Sequence, residues 1–171
     1  MSGWGLIVLI NQQTAEKIIV KMADYAVGEQ GLLLATLGLG SCVGIALYDS
    51  FRKIGGLIHI MLPENPGQKK IVKYADTGIP FLISELEDMG ASKRRMTAKI
   101  VGGAGMFKFE GGDPVMQIGR RNVEAVKNIL KEENIKIIGE DVGKDYGRSM
   151  YFYLDDGKVE VKSFSRDLLI I

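Results

Sequence analysis

The sequence has very few of the residues, cysteine and histidine, that form disulfides and bind metals in small proteins. Its 171 residues include one cysteine and one histidine. A single cysteine cannot form an internal disulfide, which fits a reducing compartment. One cysteine and one histidine are also too few ligands for a tetrahedral zinc site without several carboxylates. We therefore expect neither a disulfide scaffold nor a metal centre.

The chain also lacks a charge excess of either sign and a long apolar run. It has 22 basic and 21 acidic residues, so no strong field would hold nucleic acid or a membrane surface. The early apolar run at residues 6–10 is far shorter than the ~20 residues that span a bilayer. It also lacks the charged start and cleavage site of a signal peptide. We expect no nucleic-acid partner, no membrane insertion and a cytoplasmic location.

The apolar pattern predicts one domain over residues 1–171, in which strands outnumber helices. Residues 1–20 could form either an extension or an edge strand. Glycines predict a turn at 27–31. A helix is predicted at 76–89, which tolerates Pro80 only in its first turn, and another from Asn122 as its N-cap. Short apolar runs predict strands at 17–22, 32–37, 43–48, 55–61, 97–101, 135–139, 149–154 and 158–164. This order predicts an α+β fold of mixed, largely antiparallel sheets flanked by about two helices.

Any thiol–imidazole chemistry in this chain must use Cys42 and His59. If the strands at 43–48 and 55–61 form a hairpin, the start of the first faces the end of the second, which brings Cys42 close to His59. Pairing with imidazole lowers the pKa of a thiol and makes it a nucleophile for amides. Backbone N–H groups around Gly40 and Ser41 could hold the resulting oxyanion.

Thr36, at the end of the preceding strand, is a candidate to orient His59 through its hydroxyl or its carbonyl. Simpler interpretations stay open: a lone cysteine is commonly a small buried apolar residue, and threonine favours strands. A redox sensor would need a second thiol, which here could come only from another molecule.

Two glycine-rich segments, 38–41 and 102–105, could instead cradle phosphate. Neither matches the P-loop or the dinucleotide-binding pattern, so this indication is weak. Met106 and Phe107 follow the second segment. They are candidates either for an exposed docking tip or for core positions.

Several motifs together resemble the CheD family of chemoreceptor glutamine deamidases. The resemblance begins near Ala23 and ends near Phe164, and its most specific parts are residues 36–43 and 59–63 in this order and spacing. Residues 73–77, 102–107, 118–122, 140–141 and 147–148 add to it. One departure is Lys144 after Gly143, where many relatives have a second glycine.

The resemblance implies a Cys–His–Thr triad with Cys42 as nucleophile, His59 as base and Thr36 as the orienting residue. It implies deamidation of glutamine side chains on cytoplasmic chemoreceptor helices without a cofactor, and in some members hydrolysis of glutamyl methyl esters. The implied partner is the CheC phosphatase, and the implied fold resembles bacterial toxin deamidases. The alternative is a non-catalytic, CheD-like scaffold that binds CheC.

Overall fold

The computed structural model describes residues 15–105 and 117–171. Met106, Phe107 and residues 1–14 lie outside them, so the docking role predicted for the first two stays a prediction. The described strands and helices follow in chain order: β1 Glu16–Ile19, β2 Tyr25–Glu29, β3 Leu32–Leu39, β4 Val43–Asp49, β5 Ile54–Ile60, α1 Ala75–Asp88, β6 Met96–Gly102, α2 Ile118–Glu132, β7 Lys136–Val142, β8 Arg148–Tyr153, β9 Val159–Ser163 and β10 Arg166–Ile170.

The strands form two five-stranded sheets. The first has the order β1-β3-β8-β9-β10 and the second the order β2-β5-β4-β6-β7. Strands β1 and β3 pair in parallel, as do β6 and β7, and the other described pairs are antiparallel. The predicted α+β fold with mixed, largely antiparallel sheets and two helices is confirmed.

The second sheet is the middle layer of the molecule. Every residue of β4 and of β5 is buried, as expected for strands covered on both faces. On one face, side chains such as Ile45 pack with buried residues of α1 and α2, including Leu82 and Val126. On the other face, Ala46 and Leu57 pack against the first sheet. Burial of each large apolar side chain contributes about 1.5–3 kcal/mol.

Several local predictions were wrong. Strand β2 occupies most of the predicted turn at 27–31, and the chain reverses only around Gly31, which has a φ of +98°. Strand β10 was missed because its five residues are all exposed and do not alternate. Pro80 is the sixth residue of α1 rather than part of the first turn, so the carbonyl of Asp76 lacks its helical donor. Neither helix of the described residues combines the length and apolarity needed to cross a bilayer.

Candidate active site

The predicted hairpin of β4 and β5 exists and has the expected register. Val43 lies opposite Ile60, and Gly44 lies opposite His59. Cys42 comes directly before β4 and packs with the side chains between the two sheets. His59 also points between the sheets, because its ring reaches Thr36 on β3. Cys42 is thus a diagonal neighbour of His59, a relation that corresponds to about 7 Å between Cα atoms.

Thr36 fixes the tautomer of the His59 ring. The Thr36 hydroxyl lies 2.7 Å from Nδ1 of His59 and 2.7 Å from the carbonyl oxygen of Val20. A hydroxyl has one proton, and the Val20 carbonyl can only accept. Both bonds form together only if Thr36 donates to Val20 and Nδ1–H donates to Thr36. The proton therefore resides on Nδ1, and Nε2 carries a lone pair.

The free nitrogen of His59 is buried. Nε2 has no hydrogen-bond partner within residues 15–105 and 117–171, and burial lowers the pKa of His59 from 6.5 to about 4. The imidazole is therefore neutral at neutral pH. A neutral ring with a bare Nε2 can accept a proton from a neighbouring acid.

The thiol of Cys42 is half-buried and free. Burial raises its pKa, and the hydrogen bond from its own backbone amide offsets this only in part. The expectation that the pair lowers the thiol pKa is thus wrong for the resting site, because a neutral imidazole supplies no positive charge. Nor does the thiol hydrogen-bond to Nε2 in this structure, since that atom has no partner among the described residues.

The turn at residues 40–42, which holds Cys42, is anchored through its carbonyl groups. Its first carbonyl accepts from the amide of Ala104 (2.8 Å), its second from Nδ2 of Asn122 (2.9 Å) and its third from the amide of Gly103 (2.8 Å). No backbone carbonyl in the described part of the chain accepts from the amides of this turn. These amides are the N–H groups that could face an oxyanion.

Asn122 lies at the candidate site, although the sequence predicted it only as a helix N-cap. Helix α2 begins at Ile118, so Asn122 lies inside the helix and not at its cap. Its Nδ2 donates to the carbonyls of Ser41 and Met61, each at 2.9 Å. This amide thereby ties the Cys42 turn to the end of the His59 strand. The available signal was its spacing, because Asn122 lies in the buried stripe of the helix with Gly119 and Val126.

The second glycine-rich segment supports the turn from beside it. A Cβ atom on Gly102 would lie 2.3 Å from the carbonyl oxygen of Cys42, and the φ of Gly102 is +114°. The buried guanidinium of Arg148 holds this region by donating to Asp141 (2.8 Å) and to the carbonyl of Gly143 (2.9 Å). Because a Cβ atom at position 102 would collide with the Cys42 carbonyl, close packing against Cys42 is sufficient reason for a glycine there.

Unpartnered buried polar atoms concentrate at this end of the fold. Within the described residues they are Nε2 of His59, Oδ1 of Asn122 and Nη2 of Arg148. Each such atom typically costs about 1–3 kcal/mol. All three belong to residues that contact the Cys42 turn or the strands flanking it.

Comparisons with known proteins identify the family of the chain. Residues 61–163 match the sequence profile of a family described as "CheD chemotactic sensory transduction". A protein of Clostridium novyi (strain NT) is 47% identical over 151 residues, which cover 86% of this chain and 93% of its own length. A protein of Clostridium botulinum (strain Hall) matches with the same identity and coverage. Both are named "Probable chemoreceptor glutamine deamidase CheD".

The family that matches this chain is therefore a family of chemotaxis proteins. The chain belongs to the CheD family, as its motifs predicted.

Proposed function

We propose that this chain is a protein-glutamine deamidase that converts glutamine side chains of chemoreceptors to glutamate, with Cys42 as nucleophile and His59 as base. The names of the two clostridial relatives supply the substrate class. The observation that carries the mechanism is the hydrogen bond from Nδ1 of His59 to Thr36. It leaves the lone pair on Nε2, and the ring lies on the side of the sheet where Cys42 lies.

The first half of the reaction forms a thioester. Nε2 of His59 takes the proton from Sγ of Cys42 while the sulfur attacks the side-chain carbonyl carbon of glutamine. Because the resting thiol and imidazole are both neutral, proton transfer and attack occur together. The reaction requires the Cys42 side chain to bring Sγ within hydrogen-bond reach of Nε2. Amide groups of residues 40–42 hold the oxyanion, and Nε2–H then donates its proton to the departing ammonia.

The second half restores the thiol. Water loses a proton to Nε2 and attacks the thioester carbonyl, and the sulfur leaves and regains that proton. The products are glutamate and ammonia from glutamine and water. A glutamyl methyl ester would follow the same path with methanol as the leaving group. No cofactor takes part in either half, and we place the reaction in the cytoplasm on the cytoplasmic helices of the receptor.

The second candidate function is a scaffold that binds the CheC phosphatase without catalysis. It is favoured by the raised pKa of the Cys42 thiol, because a protonated, half-buried thiol is a weak nucleophile. The two functions differ in their dependence on Cys42. If Cys42→Ala retains both CheC binding in a pulldown and the cellular phenotype, the scaffold explains the function.

The deamidase is tested on a purified receptor cytoplasmic fragment. Wild-type protein should release ammonia and raise the mass of target peptides by about one dalton per glutamine, and Cys42→Ala should do neither. Cys42 is half-buried, so the substitution should leave the circular dichroism spectrum and the unfolding midpoint nearly unchanged. Ammonia release by Cys42→Ala at the wild-type rate would refute the mechanism.

A further inference from the structure

Parts of three of the motifs, residues 59–63, 73–77 and 118–122, meet at one cleft. The cleft has a volume of about 390 Å³, within the ordinary range for a binding site. One part of its lining follows the His59 strand, one directly precedes α1, and one lies in the first turn of α2. Its lining residues include Pro63, Glu64, Lys73, Tyr74, Ile118 and Arg121.

Hydrogen bonds connect the cleft to the candidate active site. Directly after the His59 strand, the amides of Met61 and Leu62 donate to the carbonyl of Lys73 at 2.8 and 3.2 Å. The Asn122 side chain donates hydrogen bonds both to the carbonyl of Met61 and to the Cys42 turn. Arg121 directly precedes Asn122 in α2. A segment held with one side chain at Cys42 would thus lie near the cleft with its adjoining residues.

The outer wall of the cleft is ordered by side-chain hydrogen bonds. Oδ1 of Asn65 accepts from the amides of Gly67 and Gln68 at 3.0 and 2.7 Å. The Asp76 carboxylate accepts from the amide of Asn65 at 3.0 Å, and the Tyr74 hydroxyl donates to the side-chain oxygen of Gln68 at 2.8 Å. A wall fixed in this way loses little conformational entropy when a ligand binds.

The cleft carries more positive than negative charge. Lys73 and Arg121 line it, and in the described part of the chain neither forms an ion pair with a carboxylate. The Nζ of Lys73 lies 5.7 Å from the ring centre of Tyr74. Glu64 is the one acidic residue of the lining, and the Asp76 carboxylate that orders the outer wall is engaged by the amide of Asn65. Helix α2 begins at Ile118 in the same lining and adds partial positive charge from its N-terminus.

We propose that this cleft binds an acidic side chain of the same substrate segment that presents the target glutamine, with Lys73 and Arg121 as the residues that select it. The inference rests on the proposed function and adds a sequence preference to it: glutamines with a nearby glutamate or aspartate are modified first. Because the contact lies away from the reacting carbonyl, it contributes to substrate binding equally in the ground state and the transition state. Its loss should therefore raise KM and leave kcat nearly unchanged.

The test uses synthetic receptor peptides with one target glutamine and a single glutamate moved through the flanking positions. Turnover is followed by ammonia release. For the best peptide, Lys73→Glu and Arg121→Glu should each raise KM about five- to tenfold with kcat unchanged. Replacing the peptide's glutamate by lysine should weaken wild-type turnover and restore turnover by the two variants.

The chain offers a matched control for each variant. Lys70→Glu and Arg120→Glu make the same charge changes near Lys73 and Arg121, at residues outside the cleft lining. Both controls should keep the wild-type KM. The neutral variants Lys73→Gln and Arg121→Gln serve if either charge reversal fails to fold. Equal KM values for cleft variants and controls would overturn the inference.

Peptide binding to Cys42→Ala, measured by fluorescence anisotropy, separates this inference from the mechanism. If the glutamate peptide binds and the cleft variants weaken that binding while wild type shows no turnover, docking stands and the deamidase proposal fails. If turnover is normal and indifferent to Lys73 and Arg121, the deamidase stands and the docking proposal fails. A peptide that neither binds nor reacts overturns both.

Discussion

The buried polar groups at the two ends of β4 differ in whether their hydrogen-bonding atoms have partners. At its last residue, Asp49, both carboxylate oxygens are saturated, with donors that include the Arg95 side chain and the amide of Ser92. Burial would raise the pKa of Asp49, but these bonds hold it below the usual value. At the other end lies the Cys42 turn, with a buried His59 nitrogen that has no partner among the described residues.

Under the proposed mechanism, this contrast separates a stabilising polar site from a reactive one. Saturated hydrogen bonds at Asp49 favour folding and leave no atom free for chemistry. An unpartnered imidazole nitrogen costs folding free energy, and its lone pair is free to accept the proton of the Cys42 thiol or of water. Substitutions at the Asp49 end should therefore act on stability, and those at the Cys42 end on turnover.

The largest expected effect is that of His59→Gln. Loss of the general base should lower kcat about 10³-fold, while peptide binding to the cleft stays near wild type. Ammonia release from the receptor fragment measures kcat, and fluorescence anisotropy measures peptide binding. A kcat within a few fold of wild type would show that His59 is a core residue and not the base.

Asp49→Ala should show the reverse pattern. Loss of the carboxylate leaves the amide of Ser92 and the Arg95 side chain without their acceptor, and should lower the free energy of unfolding by about 3 kcal/mol. Urea titration at neutral pH measures it. The folded fraction should retain the wild-type kcat. A selective loss of kcat with normal stability would break the distinction between the two ends.

The pH dependence of stability should also separate the ends. The pKa of His59 is about 4 in the folded chain and near 6.5 when unfolded, so below pH 6.5 the unfolded state binds more protons. Stability should therefore fall by about 2 kcal/mol from pH 7 to pH 5 because of this residue. Urea midpoints of wild type and His59→Gln at both pH values give the difference, and equal pH slopes would contradict the burial of a neutral His59.

Thr36→Val should have the smallest effect of the four. Without the hydroxyl, Nδ1 loses its acceptor and the ring no longer favours the productive tautomer, so kcat should fall about tenfold with little change in KM. Thr36→Ser keeps the acceptor and should restore most of kcat. If Thr36→Ser is as slow as Thr36→Val, the methyl group matters and the hydrogen bond does not.

The sequence predicted the hairpin that aligns Cys42 with His59 because two apolar runs of similar length flank a short connection. It also singled out Thr36 as the residue that ends the preceding strand, whereas β3 continues to Leu39. It could not predict the contact between the two sheets that joins Thr36 to His59, because residues 23 apart in sequence meet there only through packing. Apolar periodicity does not indicate how a buried polar residue such as Asn122 or Arg148 is paired.

The thiol pKa shows the same limit. The presence of a histidine suggested an activated thiolate, but the charge state of His59 depends on burial, which no local pattern reports. The structure instead favours a thiol that becomes reactive only during attack on the amide. Alkylation of Cys42 by iodoacetamide should accordingly be slow at neutral pH in the absence of substrate.

Trapping the covalent intermediate would show whether Cys42 is the nucleophile. Wild-type protein is mixed with a glutamine peptide, quenched in acid within one turnover and analysed by intact-protein and peptide mass spectrometry. The account predicts an adduct on Cys42 equal to the peptide mass less ammonia, and none on Cys42→Ala. Deamidated product without any adduct on Cys42, formed equally by Cys42→Ala, would contradict it.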